Sequence, residues 1–282
     1  MRAITSKEAI LKAVLEAKKK NNTVGFVPTM GALHKGHLSL IDYALECCEV
    51  VVVSIFVNPT QFNNAADLEK YPRTVDADLE LLSSYQSQVL VYVPSVNVIY
   101  EGDVVSKSYN FGSLEDVMEG EHRPGHFDGV GTVLNHLFRQ VQPDKAFFGE
   151  KDYQQLKIVE KLVEKEKLSV QILGCPIYRQ PDGLAMSSRN ARLTQKQLAT
   201  APFIHKILKE ARERFSSTSA NELRKWVQAQ FASQDGLELE YFEIANIKNL
   251  SPLSRKRKNQ KYRAFIAAFA GEIRLIDNIA LN

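Results

Sequence analysis

The stretch "VPTMGALHKGHLSLI", residues 27–41, decides how the chain is read. A β-branched apolar run ends at Thr29, Gly31 permits a turn, and an apolar-periodic segment starts near Gly36. A strand that turns through glycine into a helix opens a βαβ unit, whose ligand side is the strand's carboxyl end. The free N–H groups and positive dipole end of such a helix suit a phosphate. Gly31 and Gly36 have the spacing of a Walker loop, but "HLS" follows where that loop carries lysine. His34 falls just before the helix and His37 in its first turn. Either both imidazoles donate to phosphate charge that builds during a reaction, or one caps the helix beside a chance neighbour.

Outward from this stretch the same texture repeats. "TVGFVPT", "EVVVVSIFV", "QVLVYVP", "DKAFFG" and "LSVQILGCP" read as strands, and residues 36–48, 75–85, 129–141 and 153–167 carry helical patterns. Apolar runs without alternation indicate strands buried on both faces. Their alternation with helices indicates a Rossmann-like, doubly wound parallel sheet. After Cys175 comes the turn-rich "PIYRQPDGLAMSSRNARLT", then helical stretches at 194–215 and 220–233, then "LELEYFEIA", "YRAFIAAFA" and "EIRLIDNIA". This predicts an α/β domain over 1–176 and a smaller C-terminal α+β domain over 177–282.

The chain's 44% hydrophobic and 24% charged residues fit a protein with a buried core, and a net charge of +3 argues against a nucleic-acid partner. Cys47, Cys48 and Cys175 cannot all pair within one chain and form no Cys-x-x-Cys motif, which suits a reducing compartment. The first residues lack the apolar middle of a signal peptide, and no apolar run approaches the roughly 18 residues of a membrane span. A cytoplasmic protein without a membrane partner is expected. The basic run "SRKRKNQKYR" at 254–263 reads as a solvated loop between strands, with an anion or RNA contact as the alternative.

Further motifs carry chemistry. In "FFGEKDYQQL", Gly149 turns the chain, and Glu150, Lys151 and Asp152 open a helix that carries Gln154 and Gln155. A lysine there opposes the helix dipole, and a bound anion would account for it. Asn58 and Gln61 in "SIFVNPTQF" offer amides to a small polar substrate, or make an Asn-Pro turn. "MSSRN" places Ser187, Ser188 and Arg189 in a loop suited to a polyphosphate. Pro124 and Gly125 break the helix that would align His122 with His126 on zinc. His126 follows a turn that can aim it into a cleft, whereas His136 reads as structural. Asp76 and Asp78 read as helix caps, with indirect help to the site as the alternative.

Taken in order, "PTMGALHKGHLSLI", "SIFVNPTQF", "YPRT", "RPGHFDGV", "FFGEKDYQQL", "GLAMSSRN" and "RLIDN" resemble the pantothenate synthetase, or pantoate–β-alanine ligase, family over nearly the whole chain. "HKGH" is similar to the His-x-Gly-His signature of the nucleotidyltransferase superfamily, and "MSSR" to its Lys-Met-Ser-Lys-Ser counterpart. The resemblance implies ATP-dependent condensation of D-pantoate with β-alanine through a pantoyl adenylate, releasing AMP and pyrophosphate, in coenzyme A biosynthesis. Another adenylyltransferase of the superfamily is the alternative. It implies ATP contacts at Met30, Gly31, Ala32, Leu33, His34, Lys35, Gly36 and His37, at Gly149, Glu150, Lys151 and Asp152, and at Tyr178, Met186, Ser187, Ser188 and Arg189. Catalytic roles fall to His34, His37, Lys151 and Arg189, with His37 in the proton donor's position. Pantoate contacts fall to Gln61, Gln155 and Asn58, with His126 supporting the phosphate region as part of the substrate site. The resemblance also implies Mg²⁺ held mostly by phosphate oxygens rather than by protein side chains, a homodimer, and a second domain that closes over the site. Tyr178 departs from the pattern, standing where a smaller apolar residue is expected near the adenine.

Overall fold

Runs of β-branched residues pair into a six-stranded parallel sheet in this computed structural model, which describes residues 2–282. The strands are β1 (Ala3–Ile4), β2 (Val24–Thr29), β3 (Val50–Ile55), β4 (Val89–Tyr92), β5 (Lys145–Gly149) and β6 (Gln171–Cys175), in the order β1-β4-β3-β2-β5-β6. Val51, Val52 and Val53 are all fully buried, although successive side chains point to opposite faces. Both faces are therefore covered, as the unbroken valine run predicts. Helices α1 (Lys7–Lys19), α2 (Lys35–Cys47), α3 (Ala65–Glu69), α4 (Val75–Leu81), α5 (Val96–Tyr100), α6 (Glu119–His122), α7 (His126–Val141) and α8 (Tyr153–Glu166) lie between or after these strands in the chain. Strand order reverses between β2 and β5, which makes their carboxyl ends the topological switch point where ligands of such sheets bind. β2 ends at Thr29 and β5 at Gly149, the two strands that lead into the sequence motifs.

Backbone contacts divide the chain into two units. The first holds residues up to Phe111, Gly120–Glu150 and Gln155–Pro176, and the second holds Gly112–Glu119, Lys151–Gln154 and Ile177–Asn282. Two short segments from the expected first domain thus pack with the second unit, and one of them carries Lys151. That unit has an antiparallel sheet of β7 (Glu238–Asn246), β8 (Tyr262–Ala270) and β9 (Ile273–Ala280). Its helices are α9 (Gln195–Thr200), α10 (Phe203–Arg214) and α11 (Ala220–Ala232). Ala264, Ile266 and Ala268 of β8 share a buried cluster with Ile204, Leu208 and Leu223 of the helices, so one face of the sheet meets the helical layer.

Two helical expectations need correction. The stretch 194–215 is two helices, because Pro202 lacks an N–H and stands between Thr200 and Phe203. The helix expected to open at Glu150 begins at Tyr153, after a 3₁₀ turn at Glu150–Asp152. The basic run is also partly structural. The Lys256 ammonium donates to the carbonyls of Phe215 and Thr218 just past α10, where free carbonyls favour a cation.

Gly129 of α7 sits against the 3₁₀ turn Pro59–Gln61 so closely that a Cβ would lie 2.4 Å from the Thr60 carbonyl oxygen. Gly129→Ala should therefore lower the unfolding free energy by about 1–3 kcal/mol, the usual cost of overpacking. Denaturant unfolding measures this, and an unchanged value would contradict the close approach.

Candidate active site

The β2-to-α2 crossing turns through two left-handed residues, Gly31 at φ +78° and Ala32 at φ +49°. A side chain at Gly31 would press on Asp78 Oδ2 and Ile55 Cγ2 at 3.1 Å, so glycine is required for space as well as conformation. Asp78 of α4, only 2% exposed, accepts from the backbone N–H groups of Ala32 at 3.0 Å and Leu33 at 2.8 Å. The Thr74 hydroxyl donates to the same carboxylate at 3.3 Å. Burial raises the Asp78 pKa, against the opposing pull of these three donors. Thr29 Oγ1 accepts from Gly31 N at 3.2 Å.

The histidines complete the crossing. Gly36 N donates to His34 Nδ1 at 3.1 Å, and His34 N donates to His37 Nδ1 at 3.2 Å, a reciprocal capping box built from two imidazoles. A backbone N–H can only donate, so both Nδ1 atoms are acceptors and the proton of each neutral ring sits on Nε2. The rings stack with centroids 4.0 Å apart. The N–H groups of Gly31, Ala32, Leu33, His34 and Gly36 thus all have protein acceptors. The crossing is not the open backbone cradle that its glycine spacing suggests. It is a scaffold for two Nε2–H donors, and the capping and chemical readings of the pair are compatible.

Gln61 anchors a second cluster in the same unit. Its Nε2 donates to Met30 Sδ at 3.0 Å, and its Oε1 accepts from Asn58 Nδ2 at 3.1 Å. Asn58 is 1% exposed, also donates to Gly129 O at 3.1 Å, and accepts from Thr60 Oγ1 and Tyr100 OH. Its amide is bonded within the protein and orients Gln61. His126, 5% exposed, is bonded within the protein in the same way. Its Nδ1–H donates to the Gln61 carbonyl at 2.9 Å and its Nε2 accepts from Arg123 Nη1 at 3.0 Å. Both nitrogens hold the turn that carries Gln61. On α8, Gln154 is 3% exposed and donates to the carbonyls of Leu114 and Val117. Its neighbour Gln155 is half-buried, and its side-chain amide makes no hydrogen bond to another described residue.

In the second unit Lys151 Nζ lies 3.6 Å from Asp152 Oδ1. Tyr178 is 39% exposed and its carbonyl accepts from Met186 N at 3.0 Å. Ser187 caps the 3₁₀ turn Ser188–Arg192 by accepting from Arg189 N at 3.2 Å. Burial pushes the Cys48 thiol up to about 11 and the Cys175 thiol up to about 12, so neither supplies a thiolate near neutral pH.

Comparison with known proteins decides the family. The pantoate-beta-alanine ligase family matches this chain over residues 2–280. The chain belongs to that family. It is 51% identical over 282 residues to the pantothenate synthetase of Christiangramia forsetii, covering 100% of both chains. It is 53% identical over 278 residues to that of Flavobacterium psychrophilum, covering 99% of this chain and 98% of the relative. The pantothenate synthetase structure from Thermus thermophilus superposes with a TM-score of 0.90 at 36% identity, covering 100% and 99% of the two chains. The pantoate-beta-alanine ligase of Francisella tularensis, complexed with beta-gamma ATP and beta-alanine, gives 0.81 at 36% identity, covering 100% and 98%. The chain is thus an ATP-binding ligase of pantothenate biosynthesis that joins pantoate to β-alanine. Among the described residues no helix is long and apolar enough to cross a membrane.

Asp78 is the pantoate–β-alanine ligase residue that motif reading misplaced. It does not cap α4 but secures a turn 46 positions earlier. Because burial raises its pKa above 3.8, the folded chain holds this proton more tightly than the unfolded chain. The part of its stability that depends on this proton is present below 3.8 and is lost as pH rises through the raised value. The stability advantage of wild type over Asp78→Asn should therefore shrink as pH climbs through that window. Unfolding free energies measured across it would contradict this if the advantage grew.

Proposed function

We propose that ligation proceeds through a pantoyl adenylate. The pantoate carboxylate attacks the α-phosphorus of ATP, the bond to the bridging oxygen breaks, and pyrophosphate leaves. The β-alanine amine then attacks the acyl carbon, loses a proton, and expels AMP. The observation that carries this reading is the pair of Nε2–H donors set by the His34–His37 box at the carboxyl end of β2, beside the switch point. Donors fixed before the reaction stabilise charge that develops on a phosphate without reorganisation. His37 donates toward the α-phosphate region and His34 toward the neighbouring phosphate oxygens. Lys151, Ser187, Ser188 and Arg189 neutralise the remaining phosphates, and Asp152 takes the ribose. Gln61 and Gln155 hold pantoate through amides, and the remaining residues at 30–36, 149–150, 178 and 186 line the nucleotide.

No group of three or more His, Cys, Asp or Glu side chains among the described residues forms a metal cage. Mg²⁺ is carried on phosphate oxygens, where it keeps most of its own water and balances phosphate charge. Pyrophosphate as a leaving group and a carboxylate as nucleophile require no covalent enzyme intermediate, in keeping with the neutral buried thiols. We assign the enzyme to the cytoplasm as a homodimer with small-molecule substrates and no nucleic-acid partner.

Omitting each substrate in turn tests the order of steps. Pyrophosphate should appear with ATP, Mg²⁺ and pantoate alone, and AMP should then require β-alanine for release at a steady rate. His37→Asn retains an acceptor for the helix cap but removes the Nε2 donor. It should slow pyrophosphate release about a hundredfold or more while the fold persists, and His37→Gln should recover part of the loss. Near-normal release from the asparagine variant would remove His37 from the chemistry.

Gln155→Ala should raise the pantoate KM by about tenfold, in line with the roughly 1–3 kcal/mol cost of an unpaired polar group. Its ATP KM should hardly change. A selective rise in the ATP KM would overturn the pantoate assignment.

A further inference from the structure

β9 breaks its own pattern at one step. Ile273 and Leu275 are buried and Arg274 and Ile276 less so, as alternation in a half-covered strand requires, but Asp277 and Asn278 are then both buried, at 5% and 2% exposure. Consecutive side chains on a strand point to opposite faces, so the two polar groups serve different partners. Asp277 is in step with Ile273, Leu275 and Leu281, which belong to the helix-facing cluster. Asn278 is opposite Phe265 of β8, on the other face. Burying a carboxylate and an amide side by side is costly unless each is fully bonded, and each is.

Asn278 Nδ2 donates to the backbone carbonyl of Lys151 at 2.8 Å. Its Oδ1 accepts from Arg263 Nη1, and the Arg263 guanidinium lies 4.1 Å over the Tyr153 ring, two residues past Lys151. The turn that carries Lys151 is therefore gripped at its carbonyl and again at Tyr153. Asp277 takes Arg179 in a two-pronged pair, at 2.6 and 2.9 Å. Arg179 Nη1 also donates to Gly183 O at 3.1 Å, and Arg179 Nη2 donates to Asn278 O at 3.3 Å. Arg179 pairs through its backbone with Ala185, and Tyr178 O accepts from Met186 N. The hairpin so held runs directly into Ser187.

We propose that the Asp277–Asn278 step is a positioning element for the two phosphate-binding turns of the second unit. Asn278 fixes the turn bearing Lys151, and Asp277, through Arg179, fixes the hairpin that presents Ser187, Ser188 and Arg189. One rigid strand then sets the separation of the ammonium and the guanidinium, and neither Asp277 nor Asn278 touches substrate. This inference rests on the proposed assignment of Lys151 and Arg189 to the ATP phosphates.

Asn278→Asp isolates the contact to Lys151. It keeps the shape and the acceptor for Arg263 but loses the donor and sets a carboxylate against the Lys151 carbonyl. Steady-state kinetics for ATP and pantoate should be compared for wild type, Lys151→Ala, Asn278→Asp and the double variant, with melting temperatures alongside. Misplacement of a charged group by a fraction of an ångström to an ångström costs roughly ten- to a hundredfold. Asn278→Asp should lose about tenfold or more in kcat/KM for ATP, with the pantoate KM within about twofold of wild type, and should add little to the loss in Lys151→Ala, as expected of residues acting through one another. Asp277→Asn should show the same substrate selectivity with Lys151 untouched. If Asn278→Asp fails to fold, Asn278→Ser and Asp277→Asn carry the test. An impaired Lys151→Ala beside an Asn278 variant of wild-type ATP dependence, or losses that simply add, would overturn the positioning role alone. A Lys151→Ala variant with wild-type ATP dependence would overturn both the role and the assignment it rests on.

Discussion

The carboxylate of Asp78 on the N–H groups of Ala32 and Leu33 is the contact on which the candidate site depends. A chain leaving β2 must turn sharply to start α2, and the turn chosen holds a non-glycine residue at positive φ. Such a conformation costs free energy and persists only where the surroundings enforce it. Asp78 enforces it with two charge-assisted hydrogen bonds in a buried setting. With those N–H groups engaged, and the next ones capped by His34 and His37, little of the crossing's backbone remains to bind phosphate. In the proposed mechanism charge stabilisation passes to side chains whose orientation the same hydrogen bonds determine. The capping box fixes the tautomer as well as the angle of each imidazole, and the proposed mechanism uses their Nε2–H groups as phosphate donors.

A similar division of labour governs the amides. Asn58, Gln61 and His126 come from motifs that look equally functional in the sequence, yet burial separates them. Asn58 and His126 are bonded on every polar atom within the protein and act on Gln61. Gln61 holds a weak sulfur acceptor that a substrate oxygen can replace. Gln154 and Gln155 repeat the contrast one residue apart. The site is thus a small number of presented groups on a larger set of satisfied ones, the arrangement that preorganised catalysis requires.

Much of this fold was legible because strands buried on both faces leave unbroken apolar runs. Val51, Val52 and Val53 announce β3, and the runs "LELEYFEIA", "YRAFIAAFA" and "EIRLIDNIA" announce β7, β8 and β9. The two-residue edge strand β1 leaves no such trace, nor does α5, whose Tyr100 reaches Asn58. Pro202 did mark a break inside a long helical pattern, and periodicity alone concealed it. His34 and His37 were legible because their partners lie within three residues. Asp78 was not, because a pairing across 46 positions has no local signature and an acidic residue near a helix start has a simpler reading as a cap. For the same reason the motif "RLIDN" contains Asp277 and Asn278 without showing that they hold Lys151 and Arg179, although two adjacent polar residues in a strand are a detectable break of period.

Ligation through a pantoyl adenylate requires a carboxylate oxygen to attack the α-phosphorus. Pantoate labelled with ¹⁸O in its carboxylate follows that oxygen directly. Mass spectrometry of the phosphorus-containing products should find one labelled oxygen per turnover in AMP and none in pyrophosphate. Label recovered in inorganic phosphate, with ADP as the nucleotide product, would mean attack at the γ-phosphorus and would contradict the account.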